Sequence, residues 1–166
     1  MKKFDNTHAS IYRRGAAMVY DGLLSFAVAV VASMLTLPFS GGKGSTDFNP
    51  VLTIYFVLVF YLFFGWFWTH GGQTLGMRAW HIKLLETNDQ AVNWQTAGVR
   101  YLLSLPMWLY WFLVIQVAGN YREIPLLSGL PVWLLFTIAV AWLVFDYMPN
   151  NWRDRISKTK VIYIPK

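Results

Sequence analysis

Four apolar stretches run through the chain: residues 15–39, 51–68, 101–118 and 126–147. At about 1.5 Å of rise per residue, each is long enough for a helix to cross a hydrocarbon layer of roughly 30 Å. Residues 22–39 carry no charge, and the fourth stretch carries none before Asp146. The pattern predicts an all-α membrane protein with four transmembrane helices. Residues 69–100 are too polar to span. Within them Trp80-His81-Ile82-Lys83-Leu84 alternates apolar and polar, as a half-buried strand does, and Glu86-Thr87-Asn88-Asp89 reads as a turn. From about Trp94 the pattern runs into the third helix. The tail segment Thr159-Lys160-Val161-Ile162-Tyr163-Ile164 is also strand-like. These short cytoplasmic segments either pair beneath the membrane, lie at its interface, or form two irregular amphipathic pieces. Gly41-Gly42-Lys43-Gly44-Ser45 and Asn49-Pro50 predict one outer loop, and Gly119-Asn120 with Pro125 a second, shorter one.

Composition supports this reading. The chain of 166 residues is 56% hydrophobic and 13% charged, against about 25% charged in a soluble domain. The length suits one domain, residues 1–166. Cysteine is absent, which excludes disulfides and thiolate metal sites. The first run is too long for a cleaved signal and has an acid at its start, and Gly15-Ala16-Ala17 after Arg13-Arg14 is a poor twin-arginine match.

The net charge of +6 would point to nucleic acid in a soluble protein. In a membrane protein it reports orientation and contact with anionic lipid on the cytoplasmic face, with no nucleic acid partner. Lys2, Lys3, Arg13 and Arg14 precede the first span. Arg78, Lys83 and Arg100 lie between the second and third. Arg153, Arg155, Lys158, Lys160 and Lys166 follow the fourth. A four-span arrangement puts these twelve of the fourteen basic residues on one side, leaving Lys43 and Arg122 on the other. Both termini are then expected in the cytoplasm. Trp66, Trp68, Trp80, Trp94 and Trp152 fall where an interfacial aromatic belt belongs.

Asp21 is the residue that the apolar pattern does not explain. A carboxylate costs about 2.5–3.5 kcal/mol at the centre of a membrane helix, and less near its edge. It persists if it is paired, hydrated or used. Arg14 stands two helical turns before it and shares its face, so Arg14 and Arg100 compete as partners. A faint two-fold repeat relates the halves. Each begins with an arginine near a helix start, makes two spans and ends in a basic strand-like stretch, although Met107 stands where the second half would repeat Asp21.

Other chemistry is thin. The run from Gly71 to Arg78 has the glycine spacing of a phosphate-binding loop but ends in Met77-Arg78 instead of Lys-Ser/Thr, and it follows an apolar helix. It reads as a tight turn. His8, His70 and His81 lack metal-ligand spacing, and no Gly-x-Ser-x-Gly elbow occurs. No cofactor is expected, and no enzyme activity.

Arg14-x-x-Ala17-x-x-x-Asp21 resembles the first signature of the RDD family of bacterial membrane proteins, named for an arginine and two aspartates. Gly72-Gln73-Thr74-Leu75-Gly76-Met77-Arg78 is similar to that family's Gly-Gln-Thr-x-Gly-Lys-Arg segment, and Arg100 matches its arginine before the next helix. The stretch from Asp154 to Val161 resembles its closing Asp-Arg-Leu-Ala-Gly-Thr-x-Val. Arg153 stands where histidine is common, Lys158 replaces the glycine and Met77 the lysine. The resemblance implies a multi-pass protein of the bacterial inner membrane that transports unidentified ligands. The candidate ion, ligand or structural charge site is Arg14, Asp21, Arg100 and Asp154. Burial raises a carboxyl pKa and a nearby guanidinium lowers it, so an acid balanced between them can exchange a proton for a cation. Four helices make a thin pathway, which implies a homo-oligomer or a partner membrane subunit. The alternative is a membrane scaffold or accessory subunit in which these residues are staples. There Asp21 with Arg14 staples the first helix, and Asp154 with Arg155 fixes the tail. Asp154 is separately expected to pair with an arginine of the cytoplasmic connection, Arg78 or Arg100, and to dock the tail against the helices, the alternative being a solvated charged tail.

Overall fold

In the computed structural model, residues 8–39, 49–119, 132–148 and 151–165 are described. The first helix, α1, spans Ile11–Thr36 and continues as a 3-10 turn, Leu37–Phe39. Helix α2 spans Pro50–Thr69, with Asn49 accepting from the amides of Val51 and Leu52, and Pro50 in the first turn where its missing N–H is harmless. A short α3, Leu75–Ala79, leads to strand β1, Ile82–Glu86. Helix α4 spans Trp94–Gly119 and carries Pro106 inside it. Helix α5, Val132–Tyr147, a short α6, Trp152–Ile156, and strand β2, Thr159–Tyr163, complete the order. The expected outer loop at 41–45, Lys43, the connection at 120–125 with Arg122, and residues 126–131 of the fourth apolar run lie outside the described residues.

Among the described residues, α1 and α2 are long and apolar enough to cross a membrane, and α5 is a shorter apolar helix. Their large side chains point outward. Leu23, Phe26, Val31 and Leu35 on α1, and Val51, Ile54 and Leu62 on α2, are all exposed. A helix in the core of a soluble protein buries such residues, whereas a lipid-facing one does not. Between helices the glue is polar. Tyr55 donates to the carbonyl of Ala32, Tyr101 to that of Val57 and Tyr110 to that of Leu135, tying α2 to α1 and α4 to both α2 and α5. Each uses the second lone pair of a carbonyl already engaged in its helix, and is worth about 0.6 kcal/mol in a membrane.

The compact core lies at one end of the helices. The two strands pair antiparallel, with Leu84 opposite Val161, and Ala9 donates to the carbonyl of Val161 beside them. Pairing is therefore the outcome among the arrangements open to these segments. Ala9, Ala17, Met77, Ile82, Leu84, Val92, Ala97 and Val161 form one buried cluster, with Trp68 packed on it.

The faint repeat becomes concrete here. Thr74 caps α3 and Asn151 caps α6 in the same way, each accepting from an amide three residues on. His81 and Lys158 then take left-handed φ angles of 55° and 49°, and a strand of five residues follows each. The two units match in spacing throughout, and their equivalent central residues, Leu84 and Val161, pair with each other. A local two-fold axis thus passes between the strands.

Candidate functional site

The four residues singled out by sequence lie around the end of the helices capped by the sheet. Arg14 comes from the second turn of α1, Arg100 from α4 and Asp154 from α6. Arg14 Nη1 is 2.8 Å from Asp154 Oδ2, and Arg100 Nη1 is 2.7 Å from Oδ1. All three are buried. Arg100 Nη1 also donates to Thr159 Oγ1 at 2.5 Å. Asn151 holds the backbone of Asp154 by accepting from its N–H at 2.7 Å. The tail is thus docked through Asp154, with Arg100 as one partner and Arg14, in place of Arg78, as the other.

The repeat explains the geometry. Arg14 stands near the start of α1 and Arg100 near the start of α4, and both reach Asp154. Asp154 supplies a carboxylate from one half only, because its equivalent in the other is Met77. One acid therefore serves two guanidinium groups. Burial alone would raise the Asp154 carboxyl, but the adjacent charges of Arg100 and Arg14, each with a hydrogen bond, hold it below the ordinary carboxylate range.

Asp21 is elsewhere and is held differently. Its Oδ2 accepts from Thr74 Oγ1 at 2.5 Å and its Oδ1 from the backbone N–H of Gly76 at 2.9 Å. The carboxylate of α1 thus seats the start of α3, where neither expected arginine is its hydrogen-bond partner. Gly76 is required at this seam, since a Cβ there would collide with the carbonyl oxygen of Ala17 and lie 2.8 Å from Asp21 Oδ1. Gly72, at φ 69°, makes the turn before it, and its carbonyl accepts from Leu84. The spacing that brought Asp21 and Arg14 onto one face of α1 is real, but each turns to a different short helix.

Sequence reasoning passed over a second ion pair. Arg153 Nη1 lies 2.8 Å from Asp146 Oδ2, and both residues are buried. Asn151 also donates from Nδ2 to the carbonyl of Asp146. The available signal was Asp146 itself, the acid ending an otherwise charge-free run.

Between these groups is a cavity of about 120 Å³. Arg14, Asp21, Arg100 and Arg153 line it, with aromatic walls from Phe64, Trp68 and Trp108. It can hold several waters or a small ligand. Among the described residues no group of three His, Asp or Glu could hold a metal ion. Arg14 Nε, inside this assembly, has no hydrogen-bond partner. No curated protein and no solved structure matches the chain. The model of the RDD family matches residues 8–158, and the chain belongs to the RDD family.

Proposed function

We propose that this RDD-family chain crosses the bacterial inner membrane four times, with both termini in the cytoplasm, and serves a transport-related, non-enzymatic role at the capped end of its helices. The twelve basic residues flanking the apolar runs support that orientation. The observation that carries the role is Asp21, an acid within the first apolar helix and on the wall of a cavity. Each carboxylate oxygen accepts one hydrogen bond from the chain, leaving lone pairs for a proton, a water or a cation. Cation or proton exchange at Asp21 is the form of transport proposed. Because four helices enclose little space, the working unit is a homo-oligomer or includes a partner membrane subunit, in a bilayer with anionic lipid on the cytoplasmic side.

The second reading is a scaffold or accessory subunit. The clamp of Arg14 and Arg100 on Asp154 favours it, as does the use of Asp21 to seat α3. Asp21→Asn separates the two. Under exchange, the variant inserts and folds but loses pH-dependent cation flux in proteoliposomes. Under the scaffold reading, no such flux exists in the unaltered protein, and the variant loses thermal stability as the bond from Gly76 weakens. Flux unchanged in Asp21→Asn would refute exchange at this residue.

A further inference from the structure

The charges around the cavity do not cancel pair by pair. Asp154 faces two guanidinium groups, Arg14 and Arg100, and Asp146 faces a third, Arg153. Asp21 turns its oxygens to Thr74 and Gly76. Two carboxylates therefore contact three guanidinium groups, an excess of one positive charge among the paired groups.

Arg14 shows where that charge is available. A guanidinium has two edges that can each grip an oxyanion with two parallel N–H groups. Arg14 reaches Asp154 through Nη1. The edge formed by Nε and Nη2 is left with one long bond, from Nη2 to the carbonyl of Val161 at 3.5 Å, while Nε has no partner. Arg14 is only 4% exposed. A buried N–H without a partner costs about 1–3 kcal/mol, so the arrangement favours an occupant that would accept from it. The aromatic walls suit a small organic body better than a strongly hydrated ion, and the volume limits its size.

We propose that this cavity binds a small oxyanion, a carboxylate or phosphate group, on the Nε–Nη2 edge of Arg14, with Arg100 contributing charge and Trp68 and Trp108 enclosing the rest. This rests on reading the cavity as the functional chamber, and it names the ligand class. Asp154 keeps the cluster folded without neutralising it. The unequal repeat, with Met77 in the place equivalent to Asp154, leaves Arg14 and Arg100 sharing one acid.

The test uses the full chain, purified in neutral detergent and titrated with benzoate, acetate and inorganic phosphate at constant ionic strength. Tryptophan fluorescence and thermal stabilisation are the readouts, with choline chloride as control. Saturable binding of benzoate or phosphate is expected. Arg14→Lys keeps a cation for Asp154 but lacks the second edge, so it should bind about tenfold or more weakly. Ser104 also lines the cavity and takes part in none of these ion pairs, so Ser104→Leu fills the space and should do the same, which covers the case in which Arg14→Lys fails to fold. No saturable anion binding, or binding unchanged in the folded variants, overturns the proposal. A cation flux dependent on Asp21 without anion binding would overturn it while leaving the exchange reading intact. Anion binding without flux would do the reverse. Repeating the titration in phosphatidylcholine nanodiscs with and without phosphatidylglycerol identifies the source. Competition by phosphatidylglycerol assigns the site to a lipid phosphate, and its absence to a soluble anion.

Discussion

Asp154→Asn tests the centre of the fold. The substitution preserves shape and the cap on α6, but places a neutral amide between two buried guanidinium groups. Arg14 Nη1 at 2.8 Å and Arg100 Nη1 at 2.7 Å each lose a charged acceptor. Hydrogen bonds to charged groups contribute about 1.5–3 kcal/mol each. Breaking a buried pair by removing one partner costs about 3–5 kcal/mol. The two figures overlap, and a loss of about 3–5 kcal/mol is expected. At about 2–4 °C per kcal/mol for a chain of this size, the melting temperature in detergent should fall by roughly 6–20 °C. Adding Arg14→Gln should recover part of this, since one stranded cation is removed. The effect also has a pH signature. The folded carboxyl titrates below its unfolded value of about 3.9. Its contribution is therefore fully present above that value and is lost as pH falls through the folded pKa. Unaltered protein and Asp154→Asn should converge in stability on acidification below about pH 4. A variant within about 0.5 kcal/mol of the unaltered protein at pH 7 would refute the claim that Asp154 holds the tail.

Three further outcomes are expected. Lys158→Gly should stabilise the protein by up to about 1 kcal/mol, because Lys158 is exposed at φ 49° and glycine adopts that angle without strain, as a denaturation midpoint would show. Gly76→Ala should prevent α3 from docking on α1 and sharply lower the yield of folded protein, whereas Gly15→Ala, which meets nothing within 4 Å, should be neutral or slightly stabilising in the same melting assay. Cysteines replacing Lys43 and Arg122 should react with an impermeant reagent in intact cells while one replacing Lys158 does not. Labelling at Lys158 would end the four-span arrangement.

Long apolar runs were legible because a lipid-facing helix needs no partner to justify its sequence. Residues 51–68 announced α2 almost to the residue, and Trp94 announced the start of α4. The turn at Glu86–Asp89 and both strands showed in local alternation and turn chemistry. Asp21, with Arg14 on its face, stood out because charge beside apolar sequence is costly, and Arg100 and Asp154 stood out through their resemblance to the RDD signatures. Their partners were not legible. Arg14 and Asp154 are 140 positions apart and Asp21 and Gly76 are 55 apart, and no one-dimensional spacing encodes which of several arginines reaches an acid. Helical periodicity put Arg14 and Asp21 on one face of α1, but it carried no information about what packs there. The tertiary structure decided that by laying α3 against Asp21 and α6 against Arg14. It also decided that the strands pair, since an isolated two-stranded ribbon is marginal and needs the helices above it. The two-fold relation between the halves was nearly silent in sequence, because it resides in caps, left-handed φ angles and strand register that different residues satisfy. Thr74 and Asn151 cap alike, and His81 and Lys158 turn alike. Equivalent positions such as Met77 and Asp154 differ in charge, and that difference leaves two arginines on one acid.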